Sequence, residues 1–259
     1  GEDGSTDIAW YDASGQPMTH AVWTNPSVRT LAMYLDGAEL GERSVLVLVH
    51  GGAHPAQVTL PVPPGVTAYE LLFDRLKVPK NGGAGQTLLV TGGAGGVGSI
   101  LIQLARQLTQ LRVVATASRA ETRAWCLALG AHAVIDHSKP LAPQIEALGI
   151  GAPAFIFSTT NTADHIASIV DAIAPQGRFA LIDDPKTLDV MPFKRKSASI
   201  HWELMFTRPL FNTADMIEQH RLLTKVAELV DAGKVRTTLT ETAGTINAAN
   251  LKKAHALVE

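Results

Sequence analysis

The stretch Thr87-Leu-Leu-Val-Thr91, running directly into Gly92-Gly-Ala-Gly-Gly-Val-Gly98, constrains this chain more than any other part of it. A short β-forming run meets glycines at 93, 95 and 98, spaced Gly-x-Gly-x-x-Gly, and an amphipathic run to Leu108 follows. Strand, glycine turn and helix in that order open the βαβ unit that cradles a dinucleotide. Gly93 permits the tight turn, Gly95 lets the backbone approach a pyrophosphate, and Gly98 lets the helix pack closely on the strand. The helix N-terminus that follows offers amides without intrahelical partners, together with the positive end of the helix dipole, so Gly96, Val97 and Gly98 are candidate cofactor contacts.

The rhythm from Gln86 onward supports this reading, because strand and helix signals alternate as in a parallel sheet covered by helices. Strands are predicted at Thr87–Thr91, Arg112–Ala117, Ala133–Ile135, Ala154–Phe157, Arg178–Ile182 and Ala198–Trp202. Helices are predicted at Gly98–Leu108, Ala120–Leu129, Ala163–Ile173 and Thr213–Ala232, with a last one starting at Asn247. Each helix shows apolar residues at three- and four-residue spacing, and Gly130, Gly177 and Gly233 fall where helices stop. Before Leu76 the punctuation differs. Turn residues at Asp12–Gly15, Asp36-Gly37, Gly51-Gly52 and Pro63–Gly65 divide short apolar runs, of which Arg29–Leu35, Ser44–Val49 and Ala56–Leu60 read as strands. The expected fold class is therefore α/β, a Rossmann doubly wound parallel sheet preceded by a small antiparallel β-domain. The expected domains are residues 1–76, sandwich-like, and 77–259, Rossmann. Thr67–Leu76 leaves its period open between strand and helix.

An NAD-preferring site carries an acidic residue at the end of the second strand, roughly 20 residues beyond the glycines. Here the chain reads Ala115-Thr-Ala-Ser118-Arg119. A hydroxyl and a guanidinium suit a 2′-phosphate, so NADP(H) is the expected cofactor. The balance of 22 basic and 24 acidic residues supplies no global field for nucleic acid or an anionic membrane surface. The single cysteine, Cys126, excludes an internal disulfide and fits a reducing, cytoplasmic setting. The apolar runs fall short of a bilayer span. His132 and His137 flank a short strand, yet no histidine pair combines the i, i+4 helical spacing with the acidic support that a zinc protease needs, so no metal site is expected. Asp183-Asp184 and Lys194–Lys196 read as solvated turn and loop, and Trp10, Trp23 and Tyr34 as interior packing rather than a sugar platform.

Several strings resemble a known family. Gly92–Gly98, Ala115–Arg119, Leu129–His137, Ala174-Pro-Gln-Gly-Arg178, Phe193–Ser197 and His201–Phe206 are similar to zinc-type alcohol dehydrogenase-like proteins of the quinone oxidoreductase branch of medium-chain dehydrogenase/reductases, over about Tyr69–Glu259. That resemblance implies a cofactor lying across the strand ends, with Ser158, Thr159 and Ile182 facing the nicotinamide half. It also implies hydride transfer from NADPH to quinones or activated alkenes without catalytic zinc, and pairing of two copies through an edge of the Rossmann sheet. The family's chaperonin-10-like domain is not recognisable in the sequence, nor is its last strand, which leaves catalytic residues unassigned and turnover less expected than binding. In its place Asp7–Trp10, Asp12–Gly15, Trp23, Arg29–Gly37 and Thr67–Asp74 resemble the C-terminal β-sandwich of isoamylase-type glycogen debranching enzymes, without their catalytic carboxylates. Thr67–Leu76 reads as belonging to either family, so the preferred expectation is a chimera joined there, with a natural two-domain arrangement as the rival account, and no glycosidase activity is expected.

Overall fold

The computed structural model describes residues 8–12, 16–28, 30–35, 45–50, 64–239, 244 and 248–258. The chain forms two compact units, residues 1–61 with 239–259, and residues 62–238. In the first, β1 (Ile8–Asp12), β2 (Thr30–Leu35) and β3 (Val45–His50) make an antiparallel sheet in the order β1-β2-β3. A short helix, α1 (His20–Trp23), lies between the first two strands in sequence. Trp10 meets Trp23 edge to face with ring centroids 5.4 Å apart, but Trp23 stays 48% exposed and so does not fill an interior. The expected strand at Ala56–Leu60 and the cap at Asn247 lie outside the described residues.

The second unit opens with α2 (Pro64–Glu70), which continues as a π-helical turn over Leu71–Arg75. Its wider winding shows in the Leu76 amide donating to the Leu71 carbonyl at 2.8 Å. The six strands that follow are parallel, in the order β6-β5-β4-β7-β8-β9. They are β4 (Thr87–Thr91), β5 (Arg112–Thr116), β6 (Ala133–Ile135), β7 (Phe155–Ser158), β8 (Arg178–Leu181) and β9 (Ser199–Trp202). Between them run α3 (Gly96–Leu108), α4 (Ala120–Ala128), α5 (Leu141–Ala147) and α6 (Thr162–Ala172). After β9 come α7 (Thr207–Phe211) and α8 (Ile217–Asp231), and α9 (Ala248–Val258) closes the described chain.

Side chains alternate across this sheet with period two, and both faces are covered. Leu88, Val90, Val113, Ala115 and Phe157 enter one core with α2, α3 and α8. Leu89, Val114, Ile156, Phe179 and Leu181 enter the other with α5 and α6. A strand buried on both faces has no polar side to alternate with, which is why these runs read as continuously apolar.

The strand and helix expectations hold to within a residue or two, with instructive exceptions. Thr67–Leu76 is helical, and Leu71, Leu72 and Leu76 are fully buried in the Rossmann core. α5 and α7 carry Pro143 and Pro209 in their first turns, where a missing amide costs no intrahelical bond. Those prolines hide both helices from a periodicity reading. The helix expected from Thr213 starts at Ile217, because Asn212 turns left-handed (φ 45°) and the Thr213 hydroxyl donates to Asp215 at 2.6 Å. Replacing Leu72 with alanine should cost about 2–5 kcal/mol, read as a lowered urea midpoint with an unchanged slope, if α2 belongs to this core.

Candidate nucleotide site

In the second unit the chain winds from β4 outward to β6, returns, and then winds the other way through β7 to β9. The reversal leaves a crevice between the carboxyl ends of β4 and β7, where open α/β sheets bind ligands. The glycine turn enters it from β4 and Ser158-Thr159 from β7.

Three glycines there have no room for a side chain, each for a different reason. Gly92 takes φ +67°, and a Cβ on it would come within 2.1 Å of Thr159 Oγ1. On Gly93 it would meet Ala115 Cβ at 2.7 Å, and on Gly98 the Gly92 carbonyl oxygen at 2.4 Å. The left-handed turn thus belongs to Gly92, while Gly93 serves close packing on β5. Gly95 is different again. It caps α3 without a side-chain bond, and a Cβ would find only the Gly92 oxygen, at 3.4 Å. The turn is pinned from below: the Gly92 amide donates to Thr116 Oγ1 at 3.2 Å, and the Gly95 amide to the Gly92 carbonyl at 3.1 Å. The first α-helical bond runs from the Ser99 amide to the Gly95 carbonyl, so the amides of Gly96, Val97 and Gly98 precede the intrahelical ladder.

Ser158 is fully buried, its hydroxyl accepting from Thr91 at 3.0 Å and pairing with the Thr162 hydroxyl at 2.7 Å. It braces the two strands that border the crevice. Thr159, half-buried, donates to the Thr91 carbonyl at 3.0 Å, and Ile182 sends its amide to the Ser158 carbonyl at 3.3 Å. Ser118 and Arg119 lie just past the end of β5, both exposed. Arg119 is the N-cap of α4, and among the described residues its guanidinium makes no hydrogen bond or ion pair.

Two polar residues at this end, Thr91 and Thr116, escaped sequence reasoning because they read only as strand, and a third, Asp183, read as a solvated turn. Asp183 accepts from the Thr162 amide at 2.8 Å and from the Thr162 hydroxyl. It replaces the missing cap of α6, since Asn161 stands left-handed (φ 52°) with no capping bond. A carboxylate there also complements the helix dipole. Asp183 is therefore an anchor rather than a solvated turn residue. Lys194–Lys196 precede β9, at the opposite end of the parallel sheet from the crevice. Lys196 Nζ ties off the end of α6 by donating to the carbonyls of Asp171 and Ile173 at 2.8 and 2.7 Å.

The remaining candidates are structural. Burial, then Arg106, holds the His132 imidazole below its ordinary pKa, and its Nδ1 accepts from the Val113 amide at 2.9 Å. Burial pushes the Cys126 thiol up to about 11, so it stays protonated beneath Gly93. Among the described residues no three His, Cys, Asp or Glu side chains converge where an ion would fit. No helix among them is long and apolar enough to cross a membrane.

A family profile described as "Zinc-binding dehydrogenase" matches residues 96–224. A structure of a putative zinc-dependent alcohol dehydrogenase from Rhizobium etli is 52% identical, with a TM-score of 0.72, and the match covers 96% of this chain and 76% of that one. The chain belongs to the zinc-type alcohol dehydrogenase-like family of medium-chain dehydrogenase/reductases. A curated zinc-type alcohol dehydrogenase-like protein from Staphylococcus aureus is 36% identical over 78% of the chain, which spans 61% of that relative's length. CurA of Vibrio vulnificus, solved in complex with NADPH, shares the fold at 17% identity and TM-score 0.61, over 88% of this chain and 70% of that one. A match over 96% of the chain takes in most of residues 1–76. The chimera and debranching-enzyme expectations gain no support from these relatives.

Gly98→Ala should destabilise the family member by about 1–3 kcal/mol, because its methyl meets backbone that cannot yield. Gly95→Ala should stay within about 0.5 kcal/mol, since that site has room. Paired denaturant titrations check the contrast.

Proposed function

We propose that the second unit binds NADP(H), as in the quinone oxidoreductase branch of the family. The observation that carries the reading is the open glycine turn at the switch point, with the unengaged Arg119 guanidinium at the end of the neighbouring strand. The amides of Gly96, Val97 and Gly98 hold the pyrophosphate at the positive end of α3, and Gly95 lets it approach. Ser118 and Arg119 hold the 2′-phosphate, the hydroxyl by one hydrogen bond and the guanidinium by a charge-assisted pair. Thr159 and Ile182 border the nicotinamide half, and Ser158 fixes the strand ends beneath it. When bound, the cofactor supplies hydride chemistry. The protein's part is to fix the dinucleotide and exclude water from its reactive ring.

A second reading, turnover as an NADPH-dependent quinone or enone reductase, goes with the family's oxidoreductase character. Steady-state NADPH consumption with a simple quinone separates it from binding alone. We also propose that two copies pair through β9, which closes one edge of the sheet and carries Trp202 58% exposed. On that account Trp202→Lys shifts the protein to monomer in sedimentation velocity.

Trp125 reports on the site directly, because its indole N–H donates to Ser99 Oγ at 2.8 Å in the first turns of α3. NADPH titration should therefore change tryptophan fluorescence. Arg119→Ala should weaken NADPH binding roughly 10- to 100-fold, the equivalent of one charged hydrogen bond, and leave NADH binding within about twofold. An equal loss for both nucleotides would remove the 2′-phosphate assignment.

A further inference from the structure

Away from the nucleotide crevice, the second unit buries an uneven set of charges between α2 and the segment that follows β9. Glu70, on α2, is 1% exposed, and Glu203, just past β9, is 4% exposed. The two carboxyls lie within hydrogen-bonding reach of one another. Arg208 on α7 donates to Glu70 and, at 2.9 and 3.0 Å, to Asp74 and Asp215. Arg75 Nε donates to Glu203 Oε2 at 2.5 Å. Glu203 Oε1, also buried, has no hydrogen-bond partner.

Two ionised carboxylates in contact repel each other, and a buried oxygen without a partner is costly. One proton resolves both problems. Placed on Glu70, it is donated to Glu203 Oε1 while the other Glu70 oxygen still accepts from Arg208. Glu203 Oε2 still accepts from Arg75. We propose that Glu70 and Glu203 share one proton and form, with Arg75 and Arg208, a latch that fastens the β9–α7 connection to α2 and loosens in alkali.

The surroundings favour retention of that proton. Burial, then the Glu203 carboxyl, pushes the Glu70 carboxyl up to about 8, and Arg208 opposes the rise. His201, two residues before Glu203, is held below its ordinary pKa by burial, then by Arg178, Arg75 and Lys77, so it adds no proton of its own near neutrality. α3 packs on α2 with a single charged side chain, Arg106, which turns to His132 instead. On α8, Glu218 pairs with Arg221 and Lys225 with Glu228 at the surface. Asp74 and Asp215, on Arg208's other side, are partly solvated. The Thr67 hydroxyl and Met205 sulfur, 3.4 Å apart, tie the same two segments beside the latch.

A folded-state pKa raised above the unfolded value contributes stability that is complete below the unfolded carboxyl range and is lost as pH rises through about 8. The melting midpoint of the full chain should therefore fall by roughly 2–4 °C per pH unit between pH 6 and 8 and then level off. Glu70→Gln tests the cause, because its amide donates permanently to Glu203 and has no proton to lose. That variant should flatten the profile over this window and abolish the infrared C=O band of a protonated carboxyl seen in the parent at pH 6. Glu203→Gln should abolish the same band, by giving Glu70 a neutral neighbour to ionise beside. A parent without that band at pH 6, or a Glu70→Gln profile as steep as the parent's, would overturn the latch. The infrared reading stands even where a variant is too unstable to melt cooperatively.

Discussion

Where α3 leaves β4 there is no space for a side chain, and much of the second unit is arranged around that fact. The Gly98 backbone lies so near Gly92 and Gly93 that an added methyl would sit 2.4 Å from a carbonyl oxygen. Close approach of helix to strand brings the first turn of α3 over the carboxyl end of the sheet. Its free amides then converge on one small region instead of splaying outward. The contact is also what makes Gly93 rest on Ala115 and Cys126, so the second strand and α4 are held in register with the turn. A site that must present several amides to one anion needs this rigidity, because each misaligned donor loses most of its value.

Rigidity of the turn is completed by hydroxyls, not charges. Thr116 accepts from the Gly92 amide, Thr91 donates to Ser158, Ser158 pairs with the Thr162 hydroxyl, and Thr159 donates to the Thr91 carbonyl. A hydroxyl can give or take as its neighbours require, so a chain of them satisfies buried backbone groups without placing a net charge beneath the turn. A carboxylate enters only at Asp183, set back at the start of α6, where the helix dipole balances it. The floor of the crevice therefore stays neutral while its rim, at Arg119, is positive.

The turn was legible in the sequence because glycine spacing between a strand and a helix has few alternative meanings, and the six parallel strands because both-face burial leaves unbroken apolar runs. Other features were hidden for definable reasons. Thr67–Leu76 presents Leu71, Leu72 and Leu76 at spacings that fit neither a clean strand nor a clean α-helix, and the π-helical winding of Leu71–Arg75 explains the mismatch. Thr91 and Thr116 look like ordinary strand residues, since β-branching suits them to the sheet and only their partners reveal the bracing. The left-handed position falls on Gly92, one residue before the Gly-x-Gly-x-x-Gly pattern, and spacing alone does not reveal it because Gly92 is also a glycine.

The charges after β9 were the least legible part, and the reason is general. A sequence counts carboxylates and guanidiniums but does not say which of them lose their water. Glu70 looks like the polar face of a helix until the sheet brings Glu203 against it from 133 positions further along the chain. Burying two acids with two arginines is costly unless every polar atom is met, and removing one partner leaves an uncompensated charge. The structure meets that cost away from the glycine turn, at the outer end of the sheet. A segment carrying Leu204, Leu210 and Phe211 more than half exposed has little apolar burial to hold it, so its position depends on these ion pairs. Apolar packing fixes the strands, hydroxyls fix the turn, and paired charges fasten the connection after β9.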